Sequence, residues 1–257
     1  MALAVASLTF VAGGSAAGDQ GSAAKGPATP GDPVRSCESL MNVDLGPNTV
    51  IESAVQHAAT ATTPASCRVQ LYTTHPPAGD EVTIWIALPT TGWNGRFLGV
   101  GGGGFTGGTP GSVVAPLGQG FAAGATDAGN PTGQAQTIGA NPDLTRNWVG
   151  QENFGHRGIH EMTVNGKELV AAYYGRSQDY AYFSGCSTGG RQGMMEAQKY
   201  PDDYDGISAG APVFNYAELA IAQLWSQIVM KEEGNVLSQC KFTAALEAGD
   251  RRVRPGG

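Results

Sequence analysis

The chain has 257 residues, a formal net charge of −7 and 39 glycines. That length suffices for one large domain with a substantial core, and a glycine share about twice the usual favours a loop-rich enzyme over a helical bundle. The acidic balance and the lack of a Lys/Arg cluster argue against nucleic acid as a partner; the one basic run, Arg251-Arg252-Val253-Arg254, is short and terminal.

Residues 1–17 read as a secretory signal. Ala2 to Ala12 is mostly apolar, and Ser15-Ala16-Ala17 offers small residues for cleavage after Ala17, although a basic n-region is missing. The run is shorter than the ~20 residues of a membrane span, so no membrane anchor is expected. Residues 18–36 read as a linker, Gly/Ala/Pro/Ser-rich over Gly18 to Pro33. Export would place the protein outside the cytoplasm, secreted or periplasmic. There the four cysteines, Cys37, Cys67, Cys186 and Cys240, could form disulfides.

The apolar spacing around Val50 to Ala59 predicts a helix. Arg68 to Tyr72, Glu81 to Leu88 and Arg96 to Val100 are β-branched and aromatic and predict strands, the last after a turn at Trp93-Asn94-Gly95. A glycine run, Gly101 to Gly104, follows. Gly120 to Thr126 predicts another strand, and His160 to Tyr174 has helical spacing. Tyr204 to Pro212 reads as strand then turn, and Leu219 to Met230 as helix. Strands alternating with helices argue for an α/β fold with a mostly parallel sheet.

The most informative stretch is Gly185-Cys186-Ser187-Thr188-Gly189-Gly190, which spells G-x-S-x-G. An aromatic-rich strand, Tyr180 to Ser184, precedes it, and a run of helix formers, Arg191 to Lys199, follows. Strand, tight turn and helix are the context a nucleophile elbow requires. A serine on so sharp a turn needs neighbours without Cβ atoms. An acyl-transfer serine further needs a base, an orienting carboxylate and an oxyanion hole. The Thr188 N–H supplies one oxyanion donor. The glycine run supplies the other, from Gly103 first, with Gly102 and Gly104 next. No Lys-Ser/Thr follows the glycines, so they do not read as a phosphate cradle.

The base has no obvious source. His57, His75, His156 and His160 all precede Ser187, whereas the α/β-hydrolase order puts acid and histidine after the serine. His156 and His160 are four apart and could share a helical face. Val164 stands where H-E-x-x-H needs its second histidine, so no metal site and no cofactor is expected.

Several stretches together are similar to the tannase and feruloyl esterase family of α/β-hydrolases. They are Trp93 to Leu98 with the glycine run, Gly120-Phe121 to Thr126-Asp127, His160-Glu161-Met162-Thr163, and Tyr182 through Gly193, continuing to Gly210-Ala211-Pro212. The resemblance spans about Cys37 to Met230 and makes residues 37–230 the N-terminal part of the hydrolase domain. It implies that Ser187 is the nucleophile and that Cys186 is bridged to a cysteine following the catalytic histidine. It also implies that Cys37 pairs with Cys67, and that a lid, often holding calcium, precedes the catalytic aspartate and histidine. Residues 231–257 would be the start of that lid and a divergent tail. No counterpart of the catalytic aspartate, the His-Cys pair or the calcium loop is found, so neither triad partner nor metal ligands are expected in this chain. Asp202, Asp203 and Asp205 follow Ser187 too closely to be the acid and read as loop residues. Cys186 and Cys240 are left without partners. The Arg/Gly/Pro-rich ending, Gly249 to Gly257, suggests a frameshift, which an intact reading frame on resequencing would rule out. The expected activity is hydrolysis of small aromatic esters (tannin-, feruloyl- or terephthalate-type) through an acyl-enzyme, weak or absent in the chain as it stands. The alternative is a non-catalytic, ligand-binding remnant.

Overall fold

The computed structural model describes residues 31–253. The expected signal, 1–17, and the linker up to residue 30 lie outside the described residues, as do the last four positions. The strands are β1 (Thr49–His57), β2 (Ser66–Thr73), β3 (Val82–Pro89), β4 (Arg96–Val100), β5 (Ala122–Thr126), β6 (Tyr180–Cys186) and β7 (Gly206–Gly210). The helices are α1 (Val114–Gly118), α2 (Ala135–Gly139), α3 (Trp148–Glu152), α4 (Gly158–Tyr174), α5 (Thr188–Lys199), α6 (Tyr216–Glu232) and α7 (Gln239–Val253).

All seven strands share one sheet in the order β1-β2-β3-β5-β4-β6-β7. Strands β5, β4, β6 and β7 run parallel, and β1, β2 and β3 add an antiparallel extension on the β5 side. The fold is α/β, as expected. Alternation along the strands sorts the side chains between two faces. Ile84, Ile86, Leu88 and Phe97 point into one core, closed by Met162, Leu169 and Val170 of α4. Trp85, Ala87, Ala123 and Ala125 point the other way, against Val113 and Leu117 beside and within α1.

The helix expected over Val50 to Ala59 is a strand, β1, paired antiparallel with β2. Its register shifts between Ile51 and Ser53. Such a bulge inserts a residue and breaks strict alternation. The apolar residues Val50, Ile51, Ala54 and Val55 therefore fall at spacings that imitate a helix. Cys37 and Cys67 are joined in a disulfide, which ties the chain ahead of β1 to the start of β2. No helix among the described residues is long and apolar enough to cross a membrane.

Candidate active site

Strand β6 ends at Cys186 and α5 begins at Thr188, so Ser187 alone makes the turn. Its backbone lies at φ 60°, ψ −115°, a region that residues with a Cβ rarely occupy. Three main-chain bonds hold it there. The Ser187 N–H donates to the Gly210 carbonyl (3.0 Å), and its carbonyl accepts from the N–H groups of Arg191 (3.0 Å) and Val213 (3.3 Å). A Cβ on Gly185 would stand 2.6 Å from the Gly189 carbonyl carbon, so the elbow closes only with glycine there. Cys186 and Cys240 are exposed and form no disulfide among the described residues.

The glycine run follows β4, whose parallel neighbour is β6, so both loops leave the same edge of the sheet. Ligand sites of parallel α/β sheets form at this edge, outside the carboxyl ends of the strands. The two loops are bonded together. The Gly189 N–H donates to the Gly102 carbonyl at 2.9 Å, and the Thr188 hydroxyl donates to the Gly104 carbonyl at 2.5 Å. Thr188 opens α5, so its N–H is one of the first-turn donors without an intrahelical acceptor. The expected second donors differ in availability. Gly102 already donates to the Gln192 side-chain oxygen at 3.0 Å, whereas the N–H groups of Gly103 and Gly104 have no acceptor among the described residues. A recess of about 120 Å³ opens at this point, lined by Gly104, Phe105, Ser187, Thr188, Tyr216 and Leu219 among others.

No histidine is brought to Ser187. His57 ends β1, five strand spacings from β6, or about 24 Å at ~4.8 Å per spacing. His75 is gripped from both sides: Nδ1 meets Asp80 and Nε2 meets Glu161, each at 2.6 Å. Burial opposes its charge, but these hydrogen bonds and the nearby Glu161 charge outweigh it and hold His75 above the usual histidine range. His156 bonds the Tyr200 hydroxyl at 2.8 Å, while burial and the Lys199 charge lower its pKa. His160 stacks on the Tyr200 ring at 3.8 Å and pairs with Asp203 at 2.7 Å. The two helix-spaced histidines thus meet one tyrosine. Asp203 and Asp205 lie between α5 and β7, where Asp205 accepts the Ala181 N–H.

Glu196 belongs to no catalytic motif of the sequence. It is fully buried in α5, and no hydrogen-bond donor among the described residues reaches either carboxylate oxygen. Burial, reinforced by Asp203, pushes its pKa up to about 9. The carboxyl is therefore protonated at neutral pH and offers its proton to Asp203. His160, Glu196 and Asp203 are the one His/Cys/Asp/Glu trio close enough for a metal among the described residues. Glu196 lies on the same buried stripe of α5 as Gly189, Gln192 and Gly193. A charged residue on an otherwise buried helical stripe was the available signal.

The geometry thus assembles a strained serine with a helix-start N–H and a glycine N–H that have no acceptor among the described residues, all on one sheet edge. The family model for tannase and feruloyl esterase matches residues 67–249. The chain belongs to the tannase and feruloyl esterase family. It is 43% identical over 188 residues to a probable feruloyl esterase of Arthroderma benhamiae, covering 71% of this chain and 35% of that protein. It is 32% identical over 204 residues to a tannase of Aspergillus oryzae, covering 74% of this chain and 34% of that one. The crystal structure of feruloyl esterase B from Aspergillus oryzae superposes with a TM-score of 0.60 at 32% identity, over 70% of this chain and 37% of that one. The chain spans about a third of the length of the curated family members it matches.

Proposed function

We propose that this tannase-family chain carries the nucleophile and oxyanion half of a carboxylic ester hydrolase for aromatic esters of the tannin or feruloyl type. The observation that carries the reading is Ser187 at φ 60° on the strand-to-helix turn, held by main-chain hydrogen bonds to Gly210 at the end of β7, to Arg191 of α5 and to Val213. Ser187 Oγ attacks the ester carbonyl, the carbonyl oxygen takes up negative charge, and the alcohol leaves with a proton. Water then releases the acid from the acyl-enzyme. The Thr188 and Gly103 N–H groups receive the oxyanion, each contributing ~3 kcal/mol at the transition state. Gly104 is the alternative donor, and Gly102 is excluded because Gln192 occupies its N–H. None of the four histidines stands as the base for Ser187, since every one precedes it and three of the four are paired elsewhere. Turnover is therefore slow, although ~10³–10⁴-fold over water persists in hydrolases that lack a triad member. The aromatic substrate class is supported by the names of the similar proteins. Export to an oxidising compartment is supported by the Cys37–Cys67 disulfide.

The test is hydrolysis of p-nitrophenyl acetate and methyl ferulate by the full chain beside Ser187→Ala. Slow release that vanishes in the variant is expected; equal rates in both proteins sink the proposal. A second reading, ligand binding without turnover, is favoured by the Ser187 hydroxyl, which no histidine reaches among the described residues. Binding of methyl ferulate with no Ser187-dependent release would establish it.

A further inference from the structure

A second cavity lies on the antiparallel half of the sheet, away from the Ser187 edge. It encloses about 230 Å³, less than the ~300–1,000 Å³ of drug-sized pockets, so it suits a compact ligand. It shares no lining residue with the recess beside Ser187. Strand β2 lies four strand spacings from β6, or about 19 Å at ~4.8 Å per spacing. Two cross-strand rows make the floor. Ser53 pairs with Gln70 and Gln70 with Trp85, and in the next row Val55 pairs with Arg68. Alternation turns these side chains to the face opposite α4. Pro110 and Val113, in the helical turn that precedes α1, form the wall. Trp85, Val55 and this wall make most of the lining apolar.

Arg68 supplies the charge. Its Nε–H donates to the Ser66 hydroxyl at 3.0 Å. Its Nη groups have no acceptor among the described residues and are not sealed from solvent. The Glu52 carboxylate on β1 is held elsewhere: it accepts the Gln70 amide N–H at 2.8 Å, and the Gln70 oxygen accepts the Trp85 indole N–H at 3.1 Å. That chain fixes the indole ring and occupies Glu52. No carboxylate pairs with Arg68 among the described residues. Partial burial lowers the Arg68 pKa, but a guanidinium stays charged in proteins. The Ser53 hydroxyl and the exposed His57 ring, neither with a partner among the described residues, add two polar groups. A partly desolvated guanidinium with both outer nitrogens free matches the two oxygens of one carboxylate. The apolar walls match a hydrocarbon body. A phosphate or sulfate would instead leave its remaining oxygens unpaired against Val55 and Val113.

We propose that this cavity is a second ligand site that takes a small organic monocarboxylate, with Arg68 gripping the carboxylate and Val55, Trp85, Pro110 and Val113 enclosing the hydrocarbon body. The site is separate from the chemistry at Ser187 and stands whether or not the chain hydrolyses esters. The test follows the assigned amide and indole NMR signals of the full isotope-labelled chain during titration with cyclohexanecarboxylate, cyclohexanecarboxamide and acetate. Cyclohexanecarboxylate is expected to shift the Trp85 indole signal and the amide signals of Ser53, Val55 and Gln70. The carboxamide has the same shape without the charge and is expected to bind about tenfold more weakly. Acetate has the charge without the body and is expected to bind about tenfold or more weakly. Arg68→Met is expected to bring the carboxylate down to the level of the carboxamide. Arg68→Lys, which keeps the charge but not the two-pronged donor, is expected to fall between. Hydrolysis by Arg68→Met is expected to equal that of the unaltered chain. A thermal melt checks that both variants fold; if either does not, the comparison of the three ligands on the unaltered chain decides. Equal affinity for carboxylate and carboxamide, equal affinity for acetate, undiminished binding by folded Arg68→Met, or shifts confined to residues around Ser187 each overturn the proposal.

Discussion

Holding Ser187 at φ 60°, ψ −115° costs a residue with a Cβ about 1–3 kcal/mol. The surrounding main-chain bonds maintain that strain, so it can be released by substitution. Ser187→Gly is expected to be more stable than Ser187→Ala by about 1 kcal/mol, because glycine accepts positive φ and alanine does not. Chemical denaturation of the two variants measures the difference; equal midpoints would show that the turn is not strained. At Gly185 the expectation has the opposite sign. Gly185→Ala sets a Cβ 2.6 Å from the Gly189 carbonyl carbon and should lower stability by about 1–3 kcal/mol. Glycine spacing made this part of the site legible in the sequence, since a turn so tight admits few other residues. The choice among Gly102, Gly103 and Gly104 was not legible, because it depends on Gln192, a residue 90 positions from Gly102.

At the scale of elements, two titrating side chains join segments that the sequence does not connect. Glu196 of α5 faces Asp203 and His160. The unfolded chain releases the Glu196 proton near pH 4.5 and the folded chain near 9. Between those values the unfolded state binds fewer protons, so stability falls as pH rises. Glu196→Gln keeps a donor toward Asp203 and cannot ionise. It is expected to raise stability at pH 8 by about 1 kcal/mol or more, a melting-temperature gain of about 2–4 °C, and to leave pH 4 unchanged. Melts of both proteins across pH check this; parallel curves would refute it. His75 joins the loop before β3 to α4 through Asp80 and Glu161. Its folded pKa is raised from 6.5, so its contribution is complete below pH 6.5 and is lost as pH rises through the higher folded value. His75→Gln should flatten that part of the melting profile. Element type was readable wherever period and composition agreed, as at β3, β4, β6 and α4. It failed at β1, where the bulge at Ile51/Ser53 gave a strand the apolar spacing of a helix.

For the whole molecule, the parallel half of the sheet places the elbow and the glycine run on one edge, and the antiparallel half enlarges the core without touching the site. The fold class was legible because each parallel strand near the site is followed by a glycine-rich turn or a helix. The sheet order was not, since β5 lies between β3 and β4. The Cys37–Cys67 disulfide spans 30 residues, a loop whose closure contributes about 3–4 kcal/mol in the chain-entropy picture. Cys37→Ala/Cys67→Ala is expected to lose stability on that scale, read from denaturant midpoints. The proposed chemistry turns on one atom, the Ser187 hydroxyl oxygen. Incubating the full chain with a fluorophosphonate and mapping its peptides by mass spectrometry tests this directly. Slow labelling confined to Ser187, absent from Ser187→Ala, is the expected result. An unlabelled Ser187 in a protein whose circular dichroism shows an intact fold would contradict it.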